Sequence, residues 1–447
     1  MFRYLLLLLF VAAPCFAKDA GHKDDVARMD EIVRYYASNQ SFMGSVLVAR
    51  GDRVLLSKGY GSANLEWDIP NTPTVKFRLG SITKQFTAAS ILLLAERGKL
   101  KLDDPVKKYL ADAPAAWDKI TLFHLLTHSS GIANFTDFPG YKSIEPFAQT
   151  PADLVKLFRD KPLEFQPGEK MSYSNSGYIV LGCVIEKAAG ESYAKFVQDN
   201  IFTPLGMKDS GYDSNSAIIA RRASGYTRDE HGFANAGYID MSIPFSAGAL
   251  YSTSEDLLRW EQGLFGGKLL NAASLTRMTT PYKDNYAFAL EVRDSNGHKT
   301  IAHGGGIEGF NTQMTYYPAE KLTVIALANL NGRSPGEIAG KLASVAFGEK
   351  VILPSERKEV KLPAAVLAAY QGTYHLRQGF DVAVTLEGDQ LVAQATGQPK
   401  FPLFAESETK FFLKVVDAQL EFLRGKDGKV DRLILHQGGR DTEGPRQ

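Results

Sequence analysis

Cysteine is scarce in this 447-residue chain: Cys15 and Cys183 are the only two. A disulfide framework is therefore excluded as the source of stability. Excess charge is also missing, with 51 basic against 50 acidic residues and a formal net charge of +1. No strong field points to nucleic acid or to an anionic membrane as partner. No apolar run is long enough to span a bilayer as a helix. There is no tandem repeat and no low-complexity segment.

What is present reads as a soluble globular protein, 44% hydrophobic and 23% charged. The length exceeds one ordinary core, so two domains are expected. Met1-Phe2-Arg3 is a short basic start, Tyr4 to Ala13 is almost wholly apolar, and Cys15-Phe16-Ala17 ends on a small residue. This predicts a signal peptide over residues 1–17 and a secreted, bacterial periplasmic protein. Pro14 fits poorly with lipid attachment at Cys15. Removing Arg3 and Cys15 leaves 50 basic against 50 acidic residues and Cys183 alone. Cys183 lies in an apolar stretch and reads as a small buried hydrophobe.

Beyond a polar stub at Lys18 to Lys23, an amphipathic helix is expected over 26–37. Ser45 to Arg50 and Val54 to Ser57 flank Gly51-Asp52-Arg53 as a hairpin. An apolar helix follows Ser81, with further helices at 151–159, 176–190 and 254–264. Strands return at 286–293, 299–303, 312–317 and 322–329, then a helix at 336–347. This order predicts an α+β fold whose two ends build one antiparallel sheet flanked by helices, with a helical subdomain between them. The first expected domain spans 25–350. The charged, proline-bounded stretch from Pro354 to Pro363 lies in an expected linker, 351–364. Short alternating strands with tight turns over 365–440 predict a small all-β barrel or sandwich.

Ser81-Ile82-Thr83-Lys84 opens the apolar helix directly after Gly80. Serine and lysine three residues apart share a helix face, so the amine can take the hydroxyl proton. The same spacing recurs at Ser192/Lys195, Ser355/Lys358 and Ser407/Lys410, without the glycine or the apolar helix. Tyr173-Ser174-Asn175 sits where a polar loop runs into an apolar helix, and supplies a proton shuttle and a polar substrate anchor. Ala302-His303-Gly304-Gly305-Gly306 lies between two strands. Its glycines permit close backbone approach to a ligand, and a histidine such as His303 can carry charge or hydrogen-bond near neutral pH.

In this order the motifs resemble those of the serine β-lactamase and penicillin-binding-protein superfamily, most closely the class C-like branch with D-aminopeptidases, D-alanyl-D-alanine carboxypeptidases and esterases. The resemblance covers roughly residues 25–350. Leu125-Leu126-Thr127-His128-Ser129-Ser130-Gly131 and the segment around Phe310-Asn311 also resemble family segments. Residues 365–440 resemble the lipocalin-like barrel appended to some members. The resemblance implies that Ser81 is the nucleophile, Lys84 its proton acceptor and Tyr173 the proton shuttle. It implies substrate contact by Asn175, His303, Gly305 and Gly306, with the N–H groups of Ser81 and Gly306 as oxyanion hole. One of Lys84 and Tyr173 must titrate below its usual value near ~10 to work at neutral pH.

Each residue also has a plainer use. Asn175 or Ser174 alone would be a helix cap, His303 a strand-end histidine, and Glu308 a solvated loop carboxylate. His124 and His128 have the spacing of a zinc pair, but no glutamate follows His124 and a helix end is near, so no metal site is expected. The expectation is a secreted serine hydrolase that needs no cofactor and acts through an acyl-serine on D-amino-acid peptides or small esters. A β-lactamase is one alternative, and a penicillin-binding receptor or sensor without turnover is another. Histidine at 303, where lysine would anchor a carboxylate, weighs against efficient β-lactam turnover. Oligomeric state has no signature in the sequence.

Overall fold

The computed structural model describes residues 19–229, 231–295, 297–437 and 440–447. The expected signal peptide, with Cys15, lies outside the described residues. Helix α1 (Asp19–Ser38) begins within the expected stub, seven residues ahead of the expected start at 26. It leads into β1 (Gly44–Arg50) and β2 (Arg53–Tyr60), which form the hairpin turned at Gly51. Late in the chain come β3 (Glu291–Ser295), β4 (His298–Ile307), β5 (Phe310–Tyr317) and β6 (Leu322–Ala328). The six strands form one antiparallel sheet in the order β3-β4-β5-β6-β1-β2. Pairing of β1 with β6, Val46 opposite Ala326, joins the two ends of the domain as the element order predicted.

Side chains alternate across this sheet. Val46 and Val48 of β1 and Val324 and Ala326 of β6 pack with Ile32 of α1 and Leu342 of α5 (Ser334–Ala346). Leu47, Ala49, Ile325 and Leu327 face the other way and join the large core of the helical region. Every residue of β6 is buried, which is why it reads as a continuous apolar run. The helical region holds α2 (Thr83–Glu96), α3 (Asn175–Ala189) and α4 (Ser254–Phe265). α2 is buried from Thr83 to Leu94, as expected of a helix that is apolar all round.

The strand expected over 286–293 starts only at Glu291. Tyr286 to Leu290 are buried, yet Asn285 and Ala289 take φ of +59° and +55°. Left-handed residues cannot continue a ladder, so the apolar run packs as an irregular plug.

The C-terminal strands form two antiparallel sheets, of four and five strands, around one core that includes Tyr370, Tyr374, Phe411 and Phe422. Among the described residues they do not close into the expected barrel; a lone bridge between Tyr374 and Arg446 joins the sheets at one edge. The expected linker is a pinned strap. Arg28 forks onto Glu356 at 2.6 and 2.5 Å, Arg357 grips both oxygens of Glu406 at 2.8 Å, and Val360 N–H donates to Ala405 O at 2.9 Å. Lys341 of α5 also pairs with Asp417. Among the described residues no helix is long and apolar enough to cross a membrane.

Candidate active site

Ser81 is delivered to the surface of the core by a tight turn. Leu79 N–H bonds Leu250 O at 2.9 Å, and Thr312 Oγ1 of β5 donates to Leu79 O at 2.8 Å. Gly80 then takes φ +55°, a value side chains rarely adopt, and a Cβ there would lie 2.9 Å from Gly306 N. A 3-10 turn over Gly80–Ile82 runs into α2, so Ser81 and Lys84 stand one turn apart at the start of a buried helix.

Lys84 is fully buried, and its Nζ has three neighbours: Ser81 Oγ at 3.0 Å, Asn175 Oδ1 at 2.8 Å and Ala247 O at 2.8 Å. Burial holds its pKa well below the usual lysine range. A neutral amine has two N–H bonds and one lone pair. Asn175 Oδ1 and Ala247 O can only accept, so they take the two hydrogens and the lone pair faces the Ser81 hydroxyl. Once protonated, the ammonium has an acceptor for each of its three hydrogens.

Burial raises Tyr173, so the phenol is neutral. Of the two groups, therefore, lysine is the one shifted downward. The Tyr173 hydroxyl is buried without a hydrogen bond of standard geometry, and its polar neighbour is the Ser81 hydroxyl. Lys84 Nζ lies 4.9 Å from the Tyr173 ring centre.

Asn175 is the first residue of α3 and does not cap it; Ser174 holds the N-cap place without a side-chain bond. Both ends of the Asn175 amide are engaged, Oδ1 with Lys84 and Nδ2 with Thr136 Oγ1 at 3.1 Å. Ala247 comes from a short helix, Phe245–Gly248, that packs on α3 at Gly182, where a Cβ would lie 2.1 Å from Ser246 Oγ.

His303 is buried on β4. Its Nδ1 lies 2.5 Å from Gly304 O, which fixes the proton there, and Nε2 accepts from the Tyr286 hydroxyl at 2.9 Å. Burial, with Lys84 nearby, lowers it to about 4, so the ring is neutral. Gly305 is where β4 presses on the turn that carries Ser81: a Cβ would lie 2.0 Å from Leu79 O.

Two cavities meet at Ser81. One of about 660 Å³ is lined by Ser81, Asn175, Gly306, Lys142, Glu145 and Glu308, among others. The second, about 480 Å³, is lined by Ser81, Tyr173, His303 and Gly304 to Gly306. Glu308 is not the solvated carboxylate its loop suggested: its side chain is 19% exposed and lines the first cavity. Lys142 Nζ bridges Glu145 Oε1 at 2.7 Å and Glu308 Oε1 at 2.9 Å. Burial raises Glu145; Lys142 opposes this and Glu308 adds to it.

Two of the three other serine–lysine spacings have local uses. Ser192 Oγ caps its helix at Lys195 N, and Ser407 Oγ takes Lys410 N–H in a turn. His124 Nδ1 bonds the Thr121 N–H in a capping box, while the His128 ring lies buried beside Tyr173. Burial pushes the Cys183 thiol up to about 12, as suits a structural residue. Sequence reasoning did not reach the Ala247 carbonyl, Tyr286, Lys142 or Glu145, none of which carries a motif.

A family profile described as Beta-lactamase matches residues 29–347, and one described as a domain of unknown function (DUF3471) matches 356–445. Penicillin-binding protein 4* of Bacillus subtilis is 30% identical over 91% of this chain and 95% of its own length. The D-aminopeptidase of Brucella anthropi is 28% identical over 73% of this chain and 63% of its own. Among solved structures, the octameric penicillin-binding protein homologue from Pyrococcus abyssi superposes with a TM-score of 0.67 at 26% identity, covering 94% of this chain and all of that one. The chain belongs to the β-lactamase family and is a serine hydrolase of the acyl-enzyme type.

Proposed function

We propose that Ser81 is the nucleophile of this hydrolase and that its substrates are amides or esters of D-amino acids with a free amino group. The observation that carries the mechanism is the buried Lys84 amine, held well below the usual lysine range, 3.0 Å from Ser81 Oγ with two obligate acceptors behind it. Ser81 Oγ attacks the carbonyl as its proton passes to Lys84. The N–H groups of Ser81 and Gly306 receive the oxyanion. The Tyr173 hydroxyl gives its proton to the leaving group and regains one from Lys84. Water then attacks the acyl-serine by the same route in reverse. Asn175 positions Lys84 and lies at the cleft, and His303 and Gly305 shape the strand edge beside the leaving group.

The amino-group preference rests on Glu145 and Glu308. One lysine is shared between two carboxylates, so acidic groups outnumber basic ones there, and the Lys142 side chain is 73% exposed. A substrate ammonium would take its place. The D-aminopeptidase relative supports this class of acyl group. A neutral, buried His303 offers no cation to a β-lactam carboxylate, which disfavours β-lactamase activity. We also read residues 1–17 as a secretory signal that places the enzyme in the periplasm. Residues 25–350 we read as the hydrolase domain, 351–364 as its strap and 365–440 as a separate β domain; its own hydrophobic core supports the last.

The test is a panel of D-alanine p-nitroanilide, its L form, its N-acetyl form, a p-nitrophenyl ester and nitrocefin. A free ammonium on a carboxylate contributes about 1.5–3 kcal/mol, so the free D-amine should exceed the N-acetyl form at least ~10-fold in kcat/KM. Glu308→Gln should remove most of that preference. Equal rates for the two forms would overturn the substrate reading, and hydrolysis by Ser81→Ala would overturn the mechanism.

A further inference from the structure

His128 is a buried titratable group that no step above uses. It lies in Leu125-Leu126-Thr127-His128-Ser129-Ser130-Gly131, just beyond the short helix Leu122–Leu126. This segment is the bed on which the Tyr173 loop lies. Glu164 N–H bonds Gly131 O, Gly168 N–H bonds Ser129 O and Ser172 N–H bonds His128 O, each at 2.8 Å. Gly131 takes φ +77° and passes so close that a Cβ would lie 2.1 Å from Phe165 O.

At Tyr173 the grip tightens onto one residue. The peptide N–H before Tyr173's own residue, that of Ser172, goes to the His128 carbonyl at 2.8 Å. The N–H after it, that of Ser174, goes to His128 Nδ1 at 3.1 Å. The imidazole face lies against the Tyr173 ring, centroids 4.2 Å apart and tilted by 36°. The same imidazole contacts Tyr178 at 4.9 Å and Tyr286 at 5.0 Å, and Tyr286 in turn holds His303. His128 thus contacts the backbone on both sides of Tyr173 and its ring. It does so with φ +53°, a left-handed conformation uncommon outside glycine, in which asparagine, aspartate and histidine are enriched.

We infer that His128 is a positioning residue for the proton shuttle: it fixes the place of the Tyr173 hydroxyl relative to Ser81 through two backbone hydrogen bonds and one ring contact. The inference rests on the proposed role of Tyr173. It requires a neutral imidazole, because a protonated Nδ1 cannot accept the Ser174 N–H. The surroundings meet that requirement. Burial, then Lys84 on α2 and His303 on β4, hold His128 well below its usual range, and the rings around it belong to the neutral tyrosines Tyr173, Tyr178 and Tyr286. The acceptor must stand at the δ position of the side chain. Asparagine offers an oxygen there and tolerates positive φ, glutamine carries its oxygen one bond farther out, and leucine has no acceptor.

The experiment measures kcat and KM on a p-nitrophenyl ester for His128→Leu, His128→Asn, His128→Gln, Tyr173→Phe and the His128→Leu/Tyr173→Phe double variant, with Tm and near-UV circular dichroism as folding checks. A hydroxyl displaced by ~1 Å costs on the order of 100-fold in kcat, so His128→Leu should lose about that much with KM little changed. In the Tyr173→Phe background the same substitution should cost less than about threefold, because the group being positioned is already gone. His128→Asn should keep at least about a tenth of kcat and exceed His128→Gln at equal Tm. Full additivity in the double variant, or equal kcat for the Asn and Gln variants, overturns the inference and leaves the Tyr173 reading intact. If His128→Leu does not fold, the Asn–Gln comparison decides. Wild-type kcat in Tyr173→Phe overturns both readings, since there would be no shuttle to position.

Discussion

Gly305 is the point at which the strand edge and the nucleophile turn touch, and replacing it by alanine has a calculable effect. The added Cβ would lie 2.0 Å from Leu79 O and 2.3 Å from Thr312 Oγ1, where ordinary contact begins at 3.4 Å. Both neighbours are held, since Thr312 Oγ1 donates to Leu79 O at 2.8 Å. The strand must therefore retreat by ~1 Å, carrying Gly306 away from Ser81. Misplacement on that scale costs ~100-fold in rate, and loss of an oxyanion donor costs ~100- to 1,000-fold. Overpacking should also remove about 1–3 kcal/mol of stability. Gly304→Ala is the matched control. Its Cβ would meet only the flexible tip of Gln313, Oε1 at 3.2 Å, and Thr312 O at 3.4 Å. The assay is kcat on a p-nitrophenyl ester with Tm alongside. Gly305→Ala should fall by at least ~100-fold and Gly304→Ala by less than about threefold. Equal behaviour of the two, or a Gly305→Ala enzyme near wild-type kcat, would refute the role assigned to this contact.

The acid limb of kcat/KM should report Lys84. The neutral amine is the active form, so activity falls as pH drops through its lowered pKa, and the midpoint should lie below the usual lysine value of ~10.4. Lys84→Arg, permanently charged, should be inactive across the range; a Lys84→Arg enzyme with the wild-type profile would contradict the base assignment. Glu261 on α4 is fully buried, one of its oxygens has no partner, and burial raises it to about 8. Between about 4.3 and that value the folded state holds a proton that the unfolded chain releases, so stability falls as pH rises through this window. Glu261→Gln should flatten the dependence of Tm on pH and gain on the order of a few kcal/mol at pH 8 and above; an unchanged slope would contradict it.

The sheet and the chemical motifs were legible because both are written in short periods. The short, almost continuously apolar runs of β1 and β6, the glycine before Ser81 and the three-residue step to Lys84 fix local geometry directly. Tyr173 and Asn175 were legible by their place at the mouth of an apolar helix. What stayed hidden depends on backbone atoms or on distant pairings. Ala247 serves Lys84 with a carbonyl, which any residue possesses, and Gly182 allows its approach from another element. Lys142 and Glu308 are 166 residues apart and meet only in the folded cleft. Tyr286 sits in an apolar run that reads as a strand until the positive φ at Ala289 breaks it. In the C-terminal region the short strands with tight turns were legible, but alternation within a strand does not say whether the last strand returns to the first, and here two sheets share one core.

The central claim is that hydrolysis passes through an acyl group on Ser81. The most direct measurement is intact-protein and peptide mass spectrometry of enzyme quenched during turnover, or labelled with a fluorescent penicillin. A single acyl adduct on the peptide containing Ser81, absent in a folded Ser81→Ala variant that no longer turns over substrate, is the predicted result. An adduct elsewhere in the chain, or a Ser81→Ala enzyme that still hydrolyses its substrate, would contradict it.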